Sequence, residues 1–268
     1  MIPDRLLKIL RSCEIDQTSH FPPTEIYNEG WMLRLVLDAV QTLGLRGHPF
    51  WFTDEAKWYS EALLSSPFRP RSRSDKLAEG FTNADGVIGH FEFGASTKSG
   101  LRLNGDATQF VVVEAKMFSN LSSGTTNARV FDQAARNVAC IAEAISQSGR
   151  SLNDFDRLGF FVLAPALEKR SHRNTNLESC IDPNSIKLAV GNRIQSYEQS
   201  GRDEANQMRD WERNWFLPLV DKLVASNGLK VLSWEDCIEA ISAADEDVGA
   251  ELGRFYQRCL TYSPQRQL

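Results

Sequence analysis

The chain is predicted to fold as one mixed α/β domain, its central sheet covered by helices on both faces. Three observations carry that expectation. Short runs of strand length, apolar at residues 110–113 and 159–164 and apolar but for Lys230 at 229–232, alternate with amphipathic stretches of helix length. No internal repeat, low-complexity tract or clear linker divides the chain. Its 268 residues, 42% hydrophobic and 24% charged, have the composition of an ordinary globular domain with a sizeable core. We read residues 1–268 as a single domain, with N-terminal helices within 1–66 and a helical insertion at 183–226 between two strands of the same sheet.

Taken in order, a first helix at residues 3–12 precedes a polar stretch broken at Pro22-Pro23. Trp31, Met32, Leu33, Leu35, Val36 and Val40 recur near three-and-four spacing and predict an amphipathic helix. Thr24 or Asn28 would cap it, Glu29 lies near its first turn, and Gly44 and Gly47 close it. Residues 54–64 read as a short second helix, and Pro67 and Pro70 mark a loop. Residues 81–93 read as a strand. A connection containing Gly, Ser and Asn then leads to a strand at 110–116, so the two predict an antiparallel hairpin. A long helix follows at about 128–147, then a strand at 159–164 ended by Pro165. Helices are expected at 183–197 and 206–225, the second kinked at Pro218. A fourth strand at 229–233 leads into a helix through Ile241, capped by Ser233 in Ser-Trp-Glu-Asp.

Composition excludes several classes. No apolar run approaches the roughly 20 residues of a membrane span, and no secretory signal is visible, so a cytoplasmic, membrane-free protein is expected. Cys13, Cys140, Cys180, Cys237 and Cys259 are scattered and never spaced as C-x-x-C, against a disulfide framework or a structural zinc site. His20, His48, His90 and His172 are equally dispersed. There is no P-loop, no G-x-S-x-G elbow and no H-E-x-x-H. The net charge is −5, but seven acids and no base fall between residues 231 and 253, so the acidity is local to the C-terminal end. A basic run containing Arg69, Arg71, Arg73 and Lys76 offers a contact for phosphates or, equally, a solvated loop.

The chemistry concentrates in Phe110-Val111-Val112-Val113-Glu114-Ala115-Lys116, a core strand that ends in charge. A period of two puts Glu114 and Lys116 on one side and Ala115 on the other. With the hairpin turn centred near residue 100, Asp85 falls opposite Lys116 and beside Glu114, while Glu92 and Asp106 fall about 20 to 27 Å away. Two carboxylates at one sheet end can hold a hard divalent cation such as Mg²⁺ through oxygen. A neighbouring lysine can orient a water and offset developing negative charge, which are the needs of phosphodiester hydrolysis.

In Asp85 and Glu114-Ala115-Lys116, D-x28-E-x-K on a hairpin, the sequence resembles the PD-(D/E)XK nuclease superfamily. The resemblance covers about residues 25 to 165 and implies a restriction-endonuclease-like fold and a DNA-cleaving enzyme, with a role in restriction or defence against foreign DNA. It implies Asp85 and Glu114 as ligands of Mg²⁺, with Mn²⁺ able to substitute, and Lys116 as the residue that positions water. Glu29 matches an acid that the family commonly carries on a helix before the hairpin. Gln133 matches the glutamine of a Q-x-x-x-Y motif on the helix after it, and Arg136 stands near as a nucleic-acid contact. Asn137 stands where that motif has tyrosine, and Ala84 where the name motif has proline. On the residues alone, Glu29 could equally serve the helix dipole, and Gln133 and Arg136 could face solvent. A catalytically silent nucleic-acid-binding subunit on the same fold, or a nuclease completed by a second copy or a partner protein, are the rival expectations.

Overall fold

The computed structural model describes residues 2–12, 20–69, 75, 77, 79, 81–94, 100–124, 131–167, 170 and 177–262. Its centre is a mixed five-stranded sheet in the order β1-β2-β5-β6-β7. These strands are β1 Lys57–Ser65, β2 Phe81–Gly89, β5 Gln109–Ala115, β6 Arg157–Ala164 and β7 Leu229–Ser233, and a separate small hairpin is formed by β3 Phe91–Phe93 and β4 Leu101–Leu103. β1, β2 and β5 pair antiparallel, whereas β5, β6 and β7 run parallel. The helices are α1 Ile2–Arg11, α2 Glu29–Leu43, α3 Gln133–Ser148, α4 Leu177–Cys180, α5 Pro183–Gln199, α6 Ala205–Trp211, α7 Leu217–Ala225, α8 Trp234–Ser242 and α9 Glu246–Tyr262. None of them is long and apolar enough to cross a membrane.

β5 shows how the layers arise. All seven of its residues are buried, and alternation sends them to opposite sides of the sheet. Phe110 and Val112 join α3, α5, α6 and α7 in one apolar cluster, while Val111, Val113 and Ala115 join α2, α8 and α9 in the other. Helices therefore cover both faces. The region expected as an insertion is the parallel crossover from β6 to β7, built from α4 to α7. Its kink is a π-helical segment, Glu212–Phe216, with Pro218 starting the next helix, where a missing N–H costs nothing.

The sequence expectation of a helix at residues 54–64 fails: residues 54 and 55 form a turn and strand β1 runs from Lys57. Ala62 and Leu64 are buried while Glu61 is exposed, and the segment pairs from Lys57↔Gly89 to Ser65↔Phe81. Long-range pairing and burial outweigh the helix preference of Glu-Ala-Leu-Leu. α2 matches expectation: the Asn28 side chain accepts from the Trp31 N–H at 3.0 Å, and Gly44 closes the helix at φ 61°. α3 begins at Gln133, capped by Asp132, so residues 131 and 132 are not part of the helix expected from 128, and residues 128–130, Val130 among them, lie outside the described residues. The acidic C-terminal end, which was not expected to be helical beyond Ile241, contains α9.

His48 lies beneath this sheet, 3% exposed, with Nδ1 accepting from the Phe50 N–H. Burial, aided by Arg157 and opposed by a backbone contact with Cys237, lowers its pKa to about 4. A histidine held neutral in the folded state contributes its full stability above the unfolded pKa near 6.5. That contribution is lost as pH falls toward 4, because the unfolded chain binds the proton first. Urea unfolding is therefore expected to show a loss of about 3 kcal/mol across this window from His48. His48→Asn, which keeps an acceptor for Phe50, should remove that loss; an unchanged pH profile would refute the assignment.

Candidate active site

The site forms where β2 and β5 end together. Gly86 pairs with Val113 and Gly89 with Phe110, so the register places Asp85 opposite Glu114. Sequence reasoning had put it opposite Lys116. The reason is that the connection is not one symmetric turn: the chain bends at Gly89 (φ 148°) and His90 and enters the β3–β4 hairpin on a different register. A Cβ on Gly89 would fall 2.1 Å from the Gln109 carbonyl oxygen, so this bend depends on glycine. Glu92 and Asp106 lie beyond it, away from Asp85, as expected.

Glu114 is fully buried, on the face of β5 that meets α3. Its Oε1 accepts from the Lys116 ammonium at 2.6 Å and from Gln133 Nε2, and its Oε2 accepts from Asn137 Nδ2 at 3.3 Å. Lys116 is pinned by its backbone. Its N–H donates to the Leu163 carbonyl at 2.8 Å, and its carbonyl accepts from Trp234 Nε1 at 3.0 Å. Asp85 Oδ2 accepts the Ala115 N–H at 2.8 Å and stands 3.9 Å from Lys116 Nζ. This carboxylate replaces the ladder partner that Ala115 would otherwise need. With its side chain 23% exposed, against 0% for Glu114 and 12% for Lys116, Asp85 is the member of the trio most open to solvent.

Gln133 is locked rather than solvent-facing: its N–H donates to the Ser122 carbonyl at 2.9 Å, and its Oε1 accepts the Ser122 N–H at 3.1 Å. Four residues on, Asn137 occupies the same helix face. Asn137 was not among the expected site residues; its i, i+4 spacing from Gln133 becomes informative only once that helix face is known to meet Glu114. Asn137→Ala would leave Oε2 buried without its donor and is expected to lower stability by about 2 kcal/mol, measurable as a shift in urea midpoint.

Burial, and then the neighbouring Asp85, raise the Glu114 pKa to about 8 against the pull of Lys116. Burial works to lower the Lys116 pKa, but Glu114 and Asp85, with Glu29 behind them, outweigh it and hold the ammonium above its ordinary value. Glu29, the first residue of α2, is thus within electrostatic reach of the site. Gly86 allows that approach, since a Cβ there would meet Leu33 of α2 at 2.9 Å. Glu61 is a further acid that sequence reasoning missed. It sits opposite Asp85 in the β1–β2 register with φ 56°, bonded to Asn83 and 3.6 Å from Arg34.

No family model, curated protein or solved structure matches this chain.

The expected nucleic-acid contacts divide. Arg136 reaches Ser122 Oγ at 2.6 Å, beside Gln133. Arg69 instead pairs with Glu143 at 3.0 Å, ten residues along α3 from Gln133 and so about 15 Å from the site. Arg71, Arg73 and Lys76 lie outside the described residues. Among the described residues no group of three or more His, Cys, Asp or Glu side chains is arranged to hold a metal ion. A cation here would rest on Asp85 and Glu114 with water completing its shell, a sharing that suits Mg²⁺. With Glu114 ionised, Asp85, Glu114 and Glu29 outnumber the Lys116 ammonium among the described residues, and a bound cation would favour that ionised form.

Proposed function

We propose that the protein is a Mg²⁺-dependent nuclease that hydrolyses phosphodiester bonds in DNA. The observation that carries this reading is the meeting of Asp85, Glu114 and Lys116 at one sheet end, with Gln133 of α3 bonded into the same cluster. The D-x28-E-x-K resemblance to the PD-(D/E)XK superfamily supports it. Asp85 and Glu114 would hold the cation. When bound, it supplies a polarised phosphoryl oxygen and a water of lowered pKa. Lys116 orients that water and offsets charge developing on the phosphate. Gln133 and Asn137 fix the rotamer of Glu114, and Glu114 and Asp85, with a smaller contribution from Glu29, keep Lys116 charged.

A second reading is favoured by one feature. Both oxygens of Glu114 are already taken by three donors, as they would be in a silent subunit that binds nucleic acid without cutting it. Calorimetric titration of Mn²⁺ separates the two: the enzyme reading expects a metal site in the wild type that Asp85→Ala abolishes. Linear, circular and single-stranded DNA, and RNA, are then incubated with Mg²⁺ or Mn²⁺ and again with chelator. Failure to cut any of them, alone or as a homodimer, rejects the reading of this chain as a self-sufficient nuclease.

A further inference from the structure

At the opposite end of the sheet lies a cavity of about 310 Å³ with an unusual charge. Arg157 at the start of β6, Lys222 of α7, Lys230 of β7 and Arg46 line it, and among the described residues Asp156 is the one acid in its lining. In a chain of net charge −5 this is a local excess of three positive charges. Arg46 is 3.6 Å from Asp54, both largely exposed. Arg157, Lys222 and Lys230 form no ion pair among the described residues. Lys222 donates to the carbonyls of Leu152 and Phe155, and Arg157 donates to the Pro49 carbonyl while lying over the Trp51 ring at 5.0 Å. These dipoles and the ring fix Arg157 and Lys222 in place without neutralising them, and Lys230 stands exposed beside them.

A half-buried guanidinium facing a cavity is costly to desolvate unless an anion completes it. Burial alone accordingly lowers the Arg157 pKa to about 10. A forked guanidinium and two ammonium groups match the oxygens of a phosphate. The volume stands at the lower end for small-molecule pockets, and Trp51 adds aromatic surface beside the charges.

We propose that this cavity binds a phosphate-bearing anion of mononucleotide size. The inference does not rest on the nuclease reading. Arg157 pairs in register with Gln109 and Val162 with Glu114, so the cavity lies five residues, about 17 Å, along the sheet from Glu114.

Calorimetry on the full chain at fixed ionic strength tests it, with inorganic phosphate in one arm and a deoxynucleoside 5′-monophosphate in the other. The wild type is expected to bind. Lys230→Gln, at an exposed position, should bind about tenfold more weakly, and Lys222→Gln/Lys230→Gln about a hundredfold. Tighter binding of the nucleotide assigns the whole nucleotide as ligand, and equal binding assigns the phosphate group alone. No binding of either at millimolar concentration, or unchanged affinity in the double variant with an unchanged urea midpoint for Lys230→Gln, overturns the proposal.

Discussion

On the proposed nuclease reading, Lys116→Ala is expected to cleave DNA about 10³-fold more slowly than the wild type while retaining the Mn²⁺ site proposed on Asp85 and Glu114. The substitution removes the ammonium that lies 2.6 Å from Glu114 Oε1 and 3.9 Å from Asp85 Oδ2. What remains is a more negative cluster, in which a divalent cation should be held at least as well as before. The loss should therefore fall on the rate of the bound complex and not on metal affinity. Lys116→Arg keeps the charge but not the compact point donor, and should recover only part of the rate. Single-turnover cleavage at saturating Mn²⁺, beside a calorimetric titration of the metal, measures the two effects separately. Wild-type rates in Lys116→Ala would exclude the role given to this lysine; loss of the metal site together with the rate would make Lys116 a support for the carboxylates rather than a partner of the water.

The residues in that prediction were legible to very different degrees. Glu114 and Lys116 stand out because an apolar run of four ends abruptly in charge, a local pattern that needs no knowledge of neighbours. Asp85 was reachable by hairpin arithmetic, though two steps out in register, since counting from a single turn could not foresee that the bend at Gly89 and His90 starts a second hairpin. β1 was hidden because its strand character comes from pairing with β2, and its Glu-Ala-Leu-Leu segment locally favours helix. Asn137 was hidden for a related reason: a polar residue on a helix announces burial only once Glu114 is known to lie opposite it. α9 was hidden by its charge. Its acids drew attention, while Val248, Leu252, Phe255, Tyr256 and Cys259 kept a helical spacing beneath them.

The same cluster makes a prediction about stability that needs no enzyme activity. Above pH 8, where Glu114 is ionised, Glu114→Ala is expected to destabilise the fold by about 3–5 kcal/mol, because it leaves the 12%-exposed Lys116 ammonium without its closest counter-charge. It also removes the acceptor of Gln133 and Asn137. Adding Lys116→Met to Glu114→Ala should restore about 2 kcal/mol, since an apolar chain of similar length no longer brings a buried charge. The recovery should stay incomplete, as the two α3 amides still lack an acceptor. Urea unfolding of the wild type, both single variants and the double variant closes the cycle. A coupling near zero would mean that Glu114 and Lys116 are each solvated independently. A large coupling would mean that the fold sustains a buried ion pair which two apolar residues could largely replace, at a sheet end that Asp85 leaves open to solvent. Retaining charges there at a cost in stability is what a working site requires.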